Sequence, residues 1–214
     1  FGAERDAEQL LSPGSRPVHG LLRFGADAPI HAVPTLRRLR ESHPEIQISL
    51  HGGNSASIRD GVTDGSLDLG IVADPTPHAL LAIRLLSAHD LVAVVPRDSA
   101  WAANKSLRVR DLRGAELVIR EQGSITRSAT QAALERWNVT PERVTEAHGR
   151  ESVEAAVLAG LGVGLMGDAE FSHDPRLTLV DFSDGLEALH EYVIHRRDRQ
   201  GEAVIGAALG AVVG

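Results

Sequence analysis

From Gly20 onward, short apolar runs alternate with amphipathic stretches, which is the pattern of an α/β fold with mainly parallel sheets. Leu21 to Phe24 reads as a strand, Val33, Leu36 and Leu39 recur at helical spacing, and Ile46, Ile48 and Leu50 alternate as in a second strand. Ile58 and Val62 mark another helix. Leu69 to Val72 is a third strand, ended by Ala73-Asp74-Pro75, and Leu91 to Val95 a fourth before Pro96 breaks the pattern. A second set follows, with strands at Glu116 to Ile119, Val144 to Ala147, Val163 to Met166 and Leu177 to Val180, and helices over Ser124 to Trp137 and Val153 to Leu161. Tyr192 to His195 then reads as a strand, and Glu202 to Val213 as an Ala-rich helix returning to the first set. The expected architecture is two Rossmann-like lobes with a ligand cleft between them. Residues 20–95 plus 191–214 form one lobe and 96–190 the other, and the chain crosses near Pro96 and near His190. Residues 1–19 fit neither lobe: Ala7, Leu10 and Leu11 have helical spacing ahead of Ser12-Pro13-Gly14-Ser15, so a helix tail and a flexible link are expected.

Composition narrows the class. With 214 residues and 43% hydrophobic content the chain can bury a real core, and it has no apolar run long enough for a membrane span. The net charge of −7, with arginines scattered among acids, argues against the chain itself gripping a nucleic-acid backbone. The absence of cysteine excludes disulfides and thiolate metal sites; it fits a cytoplasmic protein, although a periplasmic one could lack cysteine too. A start at Phe1, followed by a polar stretch unlike a signal peptide, suggests a piece of a longer protein.

Several loops at strand ends carry candidate chemistry. Asp27, in Gly25-Ala26-Asp27-Ala28-Pro29 after the first strand, either caps the next helix or accepts a ligand amine. Asn54-Ser55 after the second strand is an N-cap or an anion-holding loop. Ala73-Asp74 is a turn or a wall of the site. In the second lobe, Arg120 to Arg127 combines Gln122, Gly123, Ser124, Ile125 and Thr126 at a helix start with two guanidinium groups, the best anion site in the chain unless it is only a cap. Arg150 and Ser152, at another helix start, could face it from the opposite wall.

Other patterns argue against chemistry. Gly162-Val163-Gly164-Leu165-Met166-Gly167 matches a dinucleotide fingerprint by letter, but it leads from a helix into a strand, the wrong order; a helix C-cap and a tightly packed strand fit better. The 10 histidines show no metal-binding spacing, no Gly-x-Ser-x-Gly elbow is present, and neither catalysis, a metal nor a cofactor is implied.

Taken in order, Gly20-Leu21-Leu22-Arg23-Phe24-Gly25, Pro34-Thr35-Leu36, His43-Pro44-Glu45-Ile46, Gly65-Ser66-Leu67-Asp68-Leu69-Gly70-Ile71, Gly123-Ser124-Ile125-Thr126-Arg127 and Val157 to Gly164 resemble the LysR-type transcriptional regulators. The resemblance runs from about Gly20 to the C-terminus. It implies an effector-binding domain with a periplasmic-binding-protein-like (type 2) fold, an N-terminal winged helix-turn-helix outside this chain, and a linker helix ending in residues 1–12. It also implies homodimers within tetramers, promoter DNA as a partner only through that N-terminal part, and no membrane partner. The family's cleft positions fall on Asp27, Ala28, Pro29 and Ile30, on Asn54-Ser55, Ala73-Asp74, Gln122 to Thr126, and Gly149 to Ser152. A carboxylate at position 27, where many members carry Ser or Thr, makes a small anionic or zwitterionic effector the expectation. Together with Asn54-Ser55 and the Gly-Ser-x-Thr-Arg loop it looks like the subgroup linked to aminoalkylphosphonate use. A periplasmic solute-binding protein and an enzyme using the same cleft are the rival expectations.

Overall fold

The computed structural model describes residues 18–73 and 76–212, so the expected helix tail and the candidate Asp74 lie outside the described residues. The chain forms two mixed sheets. The first contains β1 (Gly20–Ala26), β2 (Ile46–Gly52), β3 (Leu69–Ala73), β4 (Leu81–His89) and β11 (Leu189–Arg196), in the order β2-β1-β3-β11-β4. The second contains β5 (Leu91–Pro96), β6 (Ser106–Leu107), β7 (Glu116–Arg120), β8 (Arg143–Ala147), β9 (Val163–Gly167) and β10 (Leu177–Phe182), in the order β6-β10-β5-β9-β7-β8. The helices are α1 (Pro29–Ser42), α2 (Ser55–Asp64), α3 (Ile125–Arg136), α4 (Arg150–Leu158) and α5 (Ala203–Ala211).

Local chemistry explains these elements. Pro29 opens α1, where its missing N–H costs nothing. Asn54 caps α2 reciprocally with Ser57, and Gly65 ends it in the left-handed region at φ 84°. The strands β3 and β9 are apolar and buried along their whole length, as expected of central strands covered on both faces. The helix α5 packs against α1 and β1, so its Ala208 and Ala211 join Leu22, Phe24 and Leu39 in the first core. In the second lobe Val95, Leu117, Ile119 and Val163 form one core layer, and Val92, Val118, Val157 and Met166 the other.

Three expectations change. Leu91–Pro96 belongs to the second sheet, where it lies between β9 and β10, so the chain crosses between lobes at Asp90 rather than near Pro96. Leu81–His89, which the sequence reading passed over, supplies the edge strand of the first sheet. On α1 the buried face is Ala32, Thr35 and Leu39, and Val33 points to solvent at 54% exposure. The fingerprint-like glycines are structural. Gly160 takes the left-handed position after α4, and a Cβ on Gly162 would lie 2.4 Å from the Glu116 carbonyl oxygen, so that glycine lets β9 approach β7.

Candidate functional site

The carboxyl ends of β1, β2, β7 and β8 border a cleft of about 440 Å³ between the two lobes. Open α/β sheets bind ligands at such an edge, because strand ends and helix starts expose polar backbone there.

On the first lobe's wall, Asp27 follows β1 and is 4% exposed. It does not cap α1, whose N-cap is Ala28 with no side-chain bond. Its Oδ2 instead accepts the Ser55 hydroxyl and the Ala73 amide, the latter at 2.8 Å, and its Oδ1 is buried without a partner. Burial raises the Asp27 pKa against the pull of those two hydrogen bonds. The α2 start is already occupied: Asn54 Oδ1 accepts the Ser57 amide, and the Ala56 amide donates to the Gly123 carbonyl of the other lobe at 3.3 Å.

On the second lobe's wall, Arg120 is 3% exposed at the end of β7. Its Nε and Nη2 each donate to Glu121 at 2.8 Å, while Nη1 is buried with no partner. Glu121 also accepts the Gly149 amide at 3.2 Å. Burial alone would raise the Glu121 pKa, but the hydrogen bonds from Arg120 and backbone amides outweigh it and hold the carboxyl at about 2. The lobes meet directly beside this pair, where Asn54 Nδ2 donates to the Gln122 carbonyl at 3.2 Å.

Behind Asp27 lies a second group of charges. Arg150, from the start of α4, donates to the Asp27 carbonyl across the cleft and grips both oxygens of Glu170. The His31 Nε2, from α1, stands 3.9 Å from Glu170 Oε1 and 3.7 Å from Glu191 Oε1. Burial would raise Glu170, but the hydrogen bonds from Arg150 and the neighbouring His31 imidazole hold it at about 2. Glu191, on β11, is pushed up to about 9 by burial and by the charges of Asp27 and Glu170.

Of the candidate residues, Asp27, Pro29, Asn54 and Arg150 border the cleft. Ser55 and Ala73 stand behind them as donors to Asp27. Gln122 and Gly123 serve the contact between lobes through their carbonyls. Ala28, Ser124 and Thr126 are buried away from the cleft, Ile125 joins an apolar cluster with Leu91, Leu165 and Leu189, and Ile30 and Ser152 are exposed outside it. Drawing the 122–126 loop onto α2 thus makes it a lobe contact, and it leaves the free guanidinium donor on Arg120 instead. The sequence reading passed over His148 on the cleft wall, and the His31, Glu170 and Glu191 group behind it.

Residues 15–213 match the family profile described as the LysR substrate binding domain. The chain belongs to that family. The LysR-type relatives include the regulator CbbR of Rhodospirillum rubrum, 25% identical over 216 residues that cover 99% of this chain and 71% of that protein. The uncharacterized regulator YfeR of Shigella flexneri is 29% identical over 152 residues, covering 70% of this chain and 49% of that protein. The chain spans about half the length of most of the curated relatives it matches. Among solved structures, the CcmR regulatory domain of Synechocystis PCC6803 in complex with 2-PG superposes with a TM-score of 0.81 at 24% identity, covering 91% of this chain and 96% of that one. The effector binding domain of QuiR in complex with shikimate superposes with a TM-score of 0.82 at 17% identity, covering 92% and 96%. The two-sheet α/β architecture is therefore that of LysR effector-binding domains, and the chain is a ligand-sensing regulatory domain. Among the described residues no helix is long and apolar enough to cross a membrane.

Proposed function

We propose that the domain senses a small anionic or zwitterionic metabolite in the interlobe cleft, its acid group on Arg120 and any amino group on Asp27. One observation carries this reading: Arg120 Nη1 and Asp27 Oδ1 are both buried without partners, their residues border one cleft, and they belong to opposite lobes. A buried, unpaired donor or acceptor costs about 1–3 kcal/mol, which a matching ligand relieves. A ligand reaching both walls favours the closed arrangement, and only such a difference in affinity can shift the equilibrium between lobe arrangements.

QuiR, of the same fold, is described with shikimate, itself a small carboxylate. The longer protein would couple cleft closure to promoter DNA through an N-terminal domain and through a homodimeric or tetrameric assembly, in the cytoplasm and without catalysis. The sensing state requires no cofactor.

A thermal-shift and calorimetric screen of carboxylates, amino acids and aminoalkylphosphonates tests the assignment, because selective binding raises the melting temperature. Arg120→Lys should weaken every acidic ligand about tenfold, through loss of the fork geometry. Asp27→Asn should weaken only those carrying an amine. Stabilisation by no acid, or by an acid whose affinity neither variant changes, would overturn the reading.

A further inference from the structure

We propose that His31, Glu170 and Glu191 form a divalent-cation site that joins the two lobes, separate from the effector cleft. His31 lies on α1 and Glu191 on β11, both in the first lobe, while Glu170 ends a short 3-10 helix (Asp168–Glu170) in the second. Their side chains are 8%, 1% and 3% exposed, and one donor atom from each lies within 4.8 Å of the others.

The geometry is close to that of an ion site. Metal bonds to imidazole nitrogen and carboxylate oxygen are about 2.0–2.2 Å long, which sets tetrahedral ligand atoms roughly 3.4 Å apart. The two His31 separations of 3.7 and 3.9 Å need only a few tenths of an ångström of closure, and the two carboxylates, within 4.8 Å of each other, need at most about 1.4 Å. Glu191 directly precedes a break in register, where β4 carries the extra residue Leu86 between Ser87, opposite Glu191, and Leu85, opposite Tyr192.

The charges and hydrogen bonds are unbalanced in the same direction. Asp27, Glu170 and Glu191 place three carboxylates in one buried volume against the single guanidinium of Arg150. Glu191 Oε2 and His31 Nε2 are buried with no hydrogen-bond partner. A divalent ion that displaces the proton of Glu191 is balanced by the carboxylates and also fills the vacant lone pairs. Arg150 then acts behind the ligands, fixing the Glu170 carboxylate whose Oε1 faces His31. His89 is stacked on His31 at 4.6 Å and stands 3.6 Å from the half-exposed Asp168. One nitrogen and two oxygen donors suit a first-row ion such as zinc or manganese. Because the ligands come from both lobes, a bound ion holds the lobes together whether or not an effector is present.

The test is calorimetric and thermal-shift titration of the chelator-treated 214-residue chain with zinc, manganese and cobalt, with no effector added. One equivalent should bind and raise the melting temperature. Glu191→Gln and His31→Gln should each weaken that binding about tenfold or more, while His51→Ala, at an exposed histidine, leaves it unchanged. Binding of none of these ions, or binding that survives both cluster variants, overturns the proposal. If either variant fails to fold, cobalt absorption of the unaltered chain decides: d–d bands at one equivalent support the site, and their absence overturns it. Running the effector screen in chelator separates this result from the fate of the cleft assignment.

Discussion

Asp68 and Glu191 are both buried carboxylates of the first lobe, and they are furnished in opposite ways. Asp68 Oδ2 accepts the Arg23 amide at 2.7 Å, and Oδ1 takes Arg23 Nη2 at 2.7 Å and Arg199 Nη1 at 2.8 Å. The hydrogen bonds from Arg23 and Arg199 outweigh its burial and hold its pKa below the ordinary carboxylate range. Glu191 is 1% exposed, but one oxygen has no partner, and burial with the charges of Asp27 and Glu170 outweighs the pull of Arg150. A carboxyl group and low exposure are shared, so they do not distinguish a strut from a site. Completeness of the hydrogen bonding does: a satisfied buried acid secures the fold, and an unsatisfied one is prepared for something else.

Substitutions can sharpen or break that contrast. The largest effect should come from Asp68→Ala, which removes the carboxylate shared by two partly exposed guanidinium groups and should cost about 2–3 kcal/mol in urea denaturation after solvent screening; a loss under about 1 kcal/mol would remove Asp68 from the class of struts. Next is acid. Glu121, held at about 2, behaves like Asp68: its folded value lies below its unfolded one. Its contribution is therefore present above about pH 4.3 and disappears as the pH falls from there toward 2, amounting to roughly 1–2 kcal/mol after solvent screening. Denaturation of Glu121→Gln measured between those pH values should show a flatter decline than the unaltered chain. Asn54→Ala, which removes both a helix cap and the bond to the Gln122 carbonyl, should cost about 1 kcal/mol. The smallest effect is expected at Glu191→Gln in chelator: a carboxyl with a pKa of about 9 is already neutral near pH 7, and the amide that replaces it can donate to a neighbouring acid, so stability should change by less than about 0.5 kcal/mol or rise. A loss comparable to that of Asp68→Ala would erase the difference between the two acids.

The fold was legible where periodicity carries the information. The continuous apolar runs of β3, β5 and β9 mark central strands from sequence alone. What periodicity does not carry is partner choice: Leu91 to Val95 would be equally apolar in either sheet, and only long-range pairing with β9 and β10 puts it in the second. β4 escaped because, at a sheet edge, its burial follows neither a two-residue alternation nor a continuous run. The cleft loops at Asp27, Asn54 and Arg150 were legible as polar residues between a strand and a helix. Arg120 was legible as one of two guanidinium groups in the 120–127 anion loop, but nothing local announces that it is 3% exposed with an unpaired donor. His31, Glu170 and Glu191 lie so far apart in the chain that no spacing rule links them, and the tertiary fold alone makes them neighbours.

The wiring between lobes has a mechanical consequence. β4 ends at His89 and β5 begins at Leu91, so on one side a single residue, Asp90, joins the two bodies, and its carbonyl is pinned by the Asp168 amide at 3.0 Å. The return path, residues 183–188, is longer. A joint one residue wide admits twisting about an axis through itself far more readily than it admits translation or wide gaping. Small changes in the torsions at Asp90 are then levered into larger displacements at the far rim, where Asn54 meets Gln122. The domain is geared as a pivot with a short pin and a long arm, and the distance from Asp90 sets how much movement each surface residue can transmit.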